Sequence, residues 1–216
     1  MNTQRETPAS AAAIQPAGNY YDKYGTRNPL ARALMRGFLG AFEGLLDRCD
    51  AAESALEVGC GEGELTIRVA RRGLKVSGID IAPEVIAEAE RRTSQAGISA
   101  QLRSDSLFNL TAARDSADLV VCCEVLEHIE DTQRALAKLR ELCRYRLITS
   151  VPREPIWRGL NLARGKYIRA LGNTPGHVQH WSSRQFLDLL DRHFHVLEVR
   201  RPLPWTMALC EPRSRS

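Results

Sequence analysis

The chain has no Cys-x-x-Cys pair, no long apolar run and no strong charge of either sign. Each absence removes a class of protein. Cys49, Cys60, Cys122, Cys123, Cys143 and Cys210 lack the spacing of zinc ligands or of a disulfide framework. Four of the six lie inside apolar segments and read as reduced, buried thiols. The longest apolar runs are far too short to span a bilayer. The stretch Ala9–Ile14 is short, made of small residues and preceded by Glu6, so it is no signal core and a cytoplasmic location is expected. A net charge of +4 allows weak attraction to an anionic substrate or a membrane surface. It does not call for DNA or RNA as a partner.

What is present is enough for one α/β domain. The 216 residues are 44% apolar and 26% charged, ordinary values for a globular chain with a full core. Met1–Gly18 is polar and without apolar period, and is expected to be a disordered tail before a domain over 19–216. Leu30, Leu34, Phe38, Phe42, Leu45 and Leu46 recur at helical spacing after Asn28 and Pro29, a cap and a first-turn proline. Strands are expected over Ala55–Gly59, Leu74–Asp80, Ile98–Asp105, Ala117–Val125, Tyr145–Val151, His195–Arg200 and Trp205–Glu211. Helices are expected over Glu62–Arg72, Pro83–Ala96, Asp131–Cys143 and Ser183–Phe194. In the third, Leu136, Leu139 and Cys143 share one face. This alternation predicts a doubly wound, mostly parallel seven-stranded sheet. The last two strands, separated only by Arg201-Pro-Leu-Pro204, would pair as a hairpin and make one strand antiparallel.

The most informative segment is Ala55-Leu-Glu-Val-Gly-Cys-Gly-Glu-Gly-Glu-Leu65. Gly59, Gly61 and Gly63 fall where a strand turns into a helix, so a ligand can lie on bare backbone at a helix N-terminus. In a doubly wound sheet the ligand crosses the C-terminal ends of the strands. The second strand ends in Asp80-Ile81, where a carboxylate can accept both hydroxyls of a ribose. The third ends in Asp105-Ser106, placed for an adenine amino group. The fourth ends in Cys122-Cys123-Glu124, whose backbone lines the other side. The glycines are spaced Gly-x-Gly-x-Gly rather than Gly-x-Gly-x-x-Gly, and Glu57, Glu62 and Glu64 surround them. Negative charge is poor for a pyrophosphate and suits a cofactor with a sulfonium and an ammonium group.

Four ordered segments resemble class I S-adenosylmethionine-dependent methyltransferases of the small-molecule type. They are Leu56–Gly63, Gly78-Ile-Asp-Ile81, Ser104-Asp-Ser106 and Asp118–His128. The resemblance implies a Rossmann-like fold and S-adenosyl-L-methionine as cofactor. It implies cofactor contacts from Glu57, Gly59, Cys60, Gly61, Asp80, Ile81, Asp105, Ser106 and Cys123. The segment Tyr20-Tyr-Asp-Lys-Tyr24 with Arg27 resembles the part that covers the cofactor in this group. Tyr24 would cover the methionine end and Arg27 would pair with its carboxylate; aromatic packing is the other reading. One departure is the lack of a Pro-Gly-Gly turn before the fifth strand, where Leu142-Cys-Arg-Tyr145 stands instead.

Methyl transfer needs an acceptor held in line and, for a hydroxyl, a proton acceptor. His128, after the fourth strand, is the first candidate base; the other reading makes Glu127-His128 a structural helix start. His177, His180 and Trp181 precede the helix at Ser183 and are candidates for the substrate side. Pro152–Gly172 within a 152–182 insertion interleaves Arg153, Arg158, Arg164, Lys166 and Arg169 with apolar residues. It reads as an amphipathic basic lid, or as a surface (153–171) lying on anionic lipid. Ubiquinone-biosynthesis O-methyltransferases have an insertion at a similar place, and their Asp-x-x-x-x-x-Glu-x-x-Glu-His string resembles Asp118–His128. The expected function is methyl transfer to oxygen of a small or lipid-like acceptor, without metal. Glu124, Glu127, His128 and His177 also resemble the metal-binding set of small-RNA 3′-terminal 2′-O-methyltransferases, which keeps that enzyme as an alternative. A cofactor-binding module without catalysis is the third.

Overall fold

The computed structural model describes residues 28–163 and 178–214. The tail Met1–Gly18, Tyr24, Arg27, His177 and the basic lid from Arg164 to Gly172 lie outside the described residues. The described chain contains α1 (Pro29–Leu46), β1 (Ser54–Val58), α2 (Glu64–Ala70), β2 (Lys75–Asp80), α3 (Pro83–Gln95), β3 (Ala100–Ser104), α4 (Ala112–Asp115) and β4 (Ala117–Cys123). It continues through α5 (Thr132–Leu142), β5 (Cys143–Pro152), α6 (Ile156–Ala163), α7 (Ser183–Leu190), β6 (Phe194–Arg200) and β7 (Trp205–Pro212). Single 3₁₀ turns stand at Leu107–Asn109 and Leu126–His128. Among the described residues no helix is long and apolar enough to cross a membrane.

The seven strands form one sheet in the order β3-β2-β1-β4-β5-β7-β6. All neighbours are parallel except β7, which is antiparallel to both β5 and β6. Both faces are covered, and the strand residues alternate between two cores because successive side chains point to opposite faces. Leu56, Val120, Cys122, Leu147 and Ala208 meet Leu136 and Leu139 of α5 and Phe186 and Leu190 of α7. Ala55, Leu119, Val121, Ile148 and Leu209 meet Phe38, Phe42 and Leu45 of α1 and Leu65 and Val69 of α2. Phe38 and Phe42 are buried, one turn apart, and each contributes roughly 1.5–3 kcal/mol by leaving water.

The helix starts follow local chemistry. The Asn28 side chain accepts from the Leu30 and Ala31 amides ahead of Pro29, as its position predicts. Ser182 and Gln185 form a reciprocal capping box at α7. Several expected boundaries move: the Ser183–Phe194 helix stops at Leu190, and Phe194 opens β6; two other shifts have clear local causes. Glu62–Arg72 shortens to α2 because Gly63, with φ 82°, is a left-handed cap that cannot belong to the helix. Cys143 is not the last helical residue on the Leu136–Leu139 face. It caps α5 in extended conformation and opens β5 directly, so no Pro-Gly-Gly turn is needed. At the N-terminal end of the sheet the Asp118 carboxylate accepts from the Glu53 and Ser54 amides, the Ser54 hydroxyl and Arg144. Asp118 therefore ties β1 to β4 at the end opposite the glycine loop.

Candidate active site

The glycine loop leaves the C-terminal end of β1 and is lashed to the end of β2. The Gly59 and Cys60 amides both donate to the Ile79 carbonyl, at 2.8 and 2.9 Å. The three glycines have positive φ and do three different jobs. A Cβ on Gly59 would stand 2.3 Å from Cγ2 of Val125, so this glycine lets the chain after β4 approach. A Cβ on Gly63 would only touch Ala89 and Thr93 of α3 at 3.4–3.5 Å, so it is the left-handed φ of 82° that calls for glycine there. A Cβ on Gly61 would meet nothing within 4 Å. That open face over bare backbone is the cradle a nucleoside ligand requires. Asp80 braces it: Oδ2 accepts from the Gly61 amide and Oδ1 from the Ala82 amide, both at 3.1 Å. Each oxygen keeps a second lone pair for a ribose hydroxyl. Ile81 beside it is exposed.

The charge around the loop differs from the sequence expectation. Glu62 and Glu64 do not present free negative charge to a ligand. Arg92 donates to both, at 2.8 and 2.9 Å, and Arg68 donates to Glu64 at 2.7 Å. Arg68 also reaches Glu43 of α1 at 2.6 Å, joining α1, α2 and α3. Arg92, brought in from α3, and Arg68, one turn further along α2, neutralise carboxylates that stand next to the glycines in the sequence. Glu57 is buried beneath α2 and accepts from the Thr66 hydroxyl at 2.5 Å. Burial pushes its carboxyl up to about 8, aided by the charges of Asp80 and Glu64 and opposed by the Thr66 hydrogen bonds. Asp80, by contrast, faces the loop through its bonds to the Gly61 and Ala82 amides.

The Cys60 side chain is a filler. Its Sγ lies 3.3 Å from where a Cβ on Gly78 would be, and burial raises its thiol well above the usual range. Cys123 is likewise buried at the end of β4 with its thiol raised by burial. Asp105 is heavily engaged. Oδ1 accepts from the Ser106 amide and the Asn109 side chain, and Oδ2 from Arg103 at 3.2 Å, with Arg114 at 3.6 Å. Burial alone would raise this carboxyl, but those hydrogen bonds outweigh it and hold it below its ordinary value. Ser106 caps the following 3₁₀ turn by accepting from the Phe108 amide. An adenine amino group would have to share Asp105 with these donors.

A second group of side chains converges at the ends of β4 and β5. Glu124 adopts φ 60°, a left-handed conformation that costs a non-glycine residue about 1 kcal/mol or more. The strain turns its carboxylate to accept from Ser150 Oγ at 3.1 Å and from Trp205 Nε1 at 2.5 Å. Trp205 packs against Phe38 at 5.0 Å and against Trp157 of α6 at 5.9 Å between ring centres. The sequence pattern did not reveal this Glu124–Trp205 pair, because the two residues are far apart in the chain. The next turn carries Glu127, buried, and His128, half-buried. The Glu127 carbonyl accepts from the Val178 and Gln179 amides, which brings the His180–Trp181 segment beside this turn. His180 Nδ1 lies 3.5 Å from Glu154, and Trp181 packs on Phe186. Among the described residues no group of three or more His, Cys, Asp or Glu side chains is placed to hold a metal ion.

Residues 55–145 match the family model described as a methyltransferase domain. The ubiquinone biosynthesis O-methyltransferase of Xanthomonas euvesicatoria is 34% identical over 125 residues, 56% of this chain and 52% of that protein. Its counterpart from Xanthomonas oryzae is 32% identical over 159 residues, 72% of this chain and 65% of that protein. The chain thus spans only about half of the first relative's length and under two thirds of the second's. In fold, it is similar to magnesium protoporphyrin IX methyltransferase from Synechocystis with bound SAH. The TM-score is 0.68 at 20% identity, covering 88% of this chain and 90% of that one. A glycine cradle braced by Asp80, at the rim of a seven-stranded sheet with one reversed strand, agrees with each of these likenesses, which together support a class I S-adenosylmethionine-dependent methyltransferase.

Proposed function

We propose that the chain transfers a methyl group to an oxygen atom of a small-molecule or lipid-like acceptor. The observation that carries this reading is the open backbone over Gly61 beside Asp80, at the C-terminal rim of the sheet. The names of the relatives, ubiquinone biosynthesis O-methyltransferases, support oxygen as the attacked atom. Trp157 against Trp205 supports an acceptor with an apolar body under α6.

The residues divide the work. Gly59, Cys60 and Gly61 offer backbone to the cofactor, Asp80 takes the ribose and Ile81 lies at its edge. Asp105 and Ser106 take the adenine end through a turn they already hold rigid. Glu57 and Cys123 complete the wall, Tyr24 and Arg27 cover the methionine end, and His177, His180 and Trp181 face the acceptor. Bound S-adenosylmethionine supplies a methyl group on a positively charged sulfur, which leaves as a neutral thioether. His128 takes the acceptor hydroxyl's proton as the oxygen–carbon bond forms. Glu127 holds that turn against the Val178–Gln179 backbone, so the base is fixed to a buried anchor. The part of 153–171 that is described, from Arg153 into α6, serves as the roof of the acceptor site, and a peripheral contact of that face with lipid fits a lipid-like acceptor.

Mass spectrometry of a cell extract incubated with the protein and isotopically labelled cofactor tests the reading. The expected result is a labelled small molecule with the methyl group on oxygen. Labelled RNA ends, formed only without chelator, would replace it with the metal-dependent enzyme. Cofactor binding without any labelled product would leave a binding module.

A further inference from the structure

Arg153 is the one half-buried arginine among the described residues that has no partner for its side chain. Its Nε is enclosed and makes no hydrogen bond. Every other half-buried arginine there has a partner. The remaining arginines without one are exposed to water, which needs no explanation. Nor does Arg153 borrow its neighbour's carboxylate. Glu154 instead accepts from the Arg158 amide at 3.3 Å and sits 3.5 Å from His180.

The position is as informative as the lack of a partner. Arg153 follows the last residue of β5, at the C-terminal rim where ligands lie in this fold. Its amide donates to the Pro204 carbonyl at 2.8 Å, and its backbone bridges to Trp181 in parallel. The residue is thus clamped between the start of β7 and the segment before α7, while its carbonyl accepts from Trp157 of α6. The Nε of Arg153 is enclosed and unpaired while the half-buried residue keeps the rest of its guanidinium at the rim, an arrangement that leaves the fork's outer donors open to a ligand that supplies the missing charge.

We propose that the methyl acceptor carries a carboxylate, and that Arg153 binds it. The inference rests on the methyl-transfer reading above. A carboxylate matches the planar fork of a guanidinium and needs only one cation. A phosphate dianion would call for more positive charge than one arginine, and would face the carboxylates of Glu154 and Glu124 at the same rim. The acceptor therefore offers two groups: a hydroxyl at His128 and an anion at the end of β5.

The test uses the full chain, labelled cofactor and cell extract, with products separated by anion exchange at neutral pH and tagged by carboxyl-specific amidation. The expected main product is retained as an anion and takes the amide tag. For that acceptor, Arg153→Met should raise KM on the order of a hundredfold, with cofactor affinity by calorimetry unchanged. Arg153→Lys keeps the charge without the fork and should fall between; it also serves if the Met variant folds poorly. A neutral or phosphorylated main product would overturn the inference and leave methyl transfer standing. So would a carboxylated acceptor whose KM is unmoved in both variants. No labelled product from protein that binds cofactor would overturn the methyl-transfer reading, and this inference with it.

Discussion

Replacing Glu57 by glutamine should flatten the dependence of stability on pH between about 5 and 8. Glu57 sits on β1 directly beneath α2, is 4% exposed, and has Thr66 as its donor. Burial disfavours its charged form and pushes the carboxyl from 4.5 to about 8. Below pH 4.5 the group is protonated in both folded and unfolded chains. Between 4.5 and about 8 the unfolded chain releases the proton and the folded chain keeps it, so stability falls as pH rises. Above that range both are ionised and the dependence ends. Over the whole window the shift from 4.5 to about 8 corresponds to on the order of 5 kcal/mol, with about 3 kcal/mol between pH 5 and 8.

Glutamine keeps the shape and an acceptor for Thr66 but has no proton to lose. Urea unfolding of both proteins without cofactor, at steps from pH 5 to 8, should show the variant gaining on the wild type by about 3 kcal/mol. Asp105, Asp115 and Asp118, whose carboxyls are lowered, act with the opposite sign and in the acid range. They are common to both proteins and cancel in the difference. Parallel curves, or a gap that widens toward acid, would refute the buried, proton-keeping state of Glu57.

Three further outcomes follow from the same geometry. Asp80→Ala removes the acceptor for the Gly61 and Ala82 amides as well as the proposed ribose contact, and should weaken cofactor binding by ten- to a hundredfold in calorimetry; unchanged affinity would dismiss the ribose role. Gly61→Ala and Gly59→Ala should separate ligand from fold. The first keeps open space and should lower stability by only about 1 kcal/mol while impairing cofactor binding, whereas the second collides with Val125 and should cost several kcal/mol in thermal unfolding. Finally, His128→Ala should reduce kcat by about a hundredfold with cofactor affinity preserved, and full turnover in that variant would assign the proton to another group.

The elements were legible because their periods are strong. All seven strands and the longer helices lie where apolar alternation and capping residues put them, with boundaries shifted by a few residues. The short α4 and the 3₁₀ turns at Leu107 and Leu126 went unseen, since four or fewer residues carry no period. The open glycine turn, proposed as the cofactor cradle, was legible for a related reason. Its glycines and Asp80 are local requirements of backbone conformation and reach, and they recur in a fixed order along the chain. Its electrostatics were not. Glu62 and Glu64 read as free negative charge next to the glycines, and only the approach of α3 brings Arg92 onto both.

The acceptor side shows the same division more sharply. The chain alone determined the sheet, the antiparallel β7 strand and the glycine turn that leaves bare backbone at the end of β1, because each depends on short-range sterics and on one-dimensional patterns of apolar residues. Tertiary structure alone decided that Glu124 turns to Trp205, that Glu57 is a buried acid, and that Arg153 is enclosed at the end of β5 with no partner. For Arg153 this means its Nε alone, unpaired among the described residues; all of these facts concern which distant groups come within a few ångströms. Coulomb and hydrogen-bond energies fall off with spatial distance, to which distance along the chain is no guide.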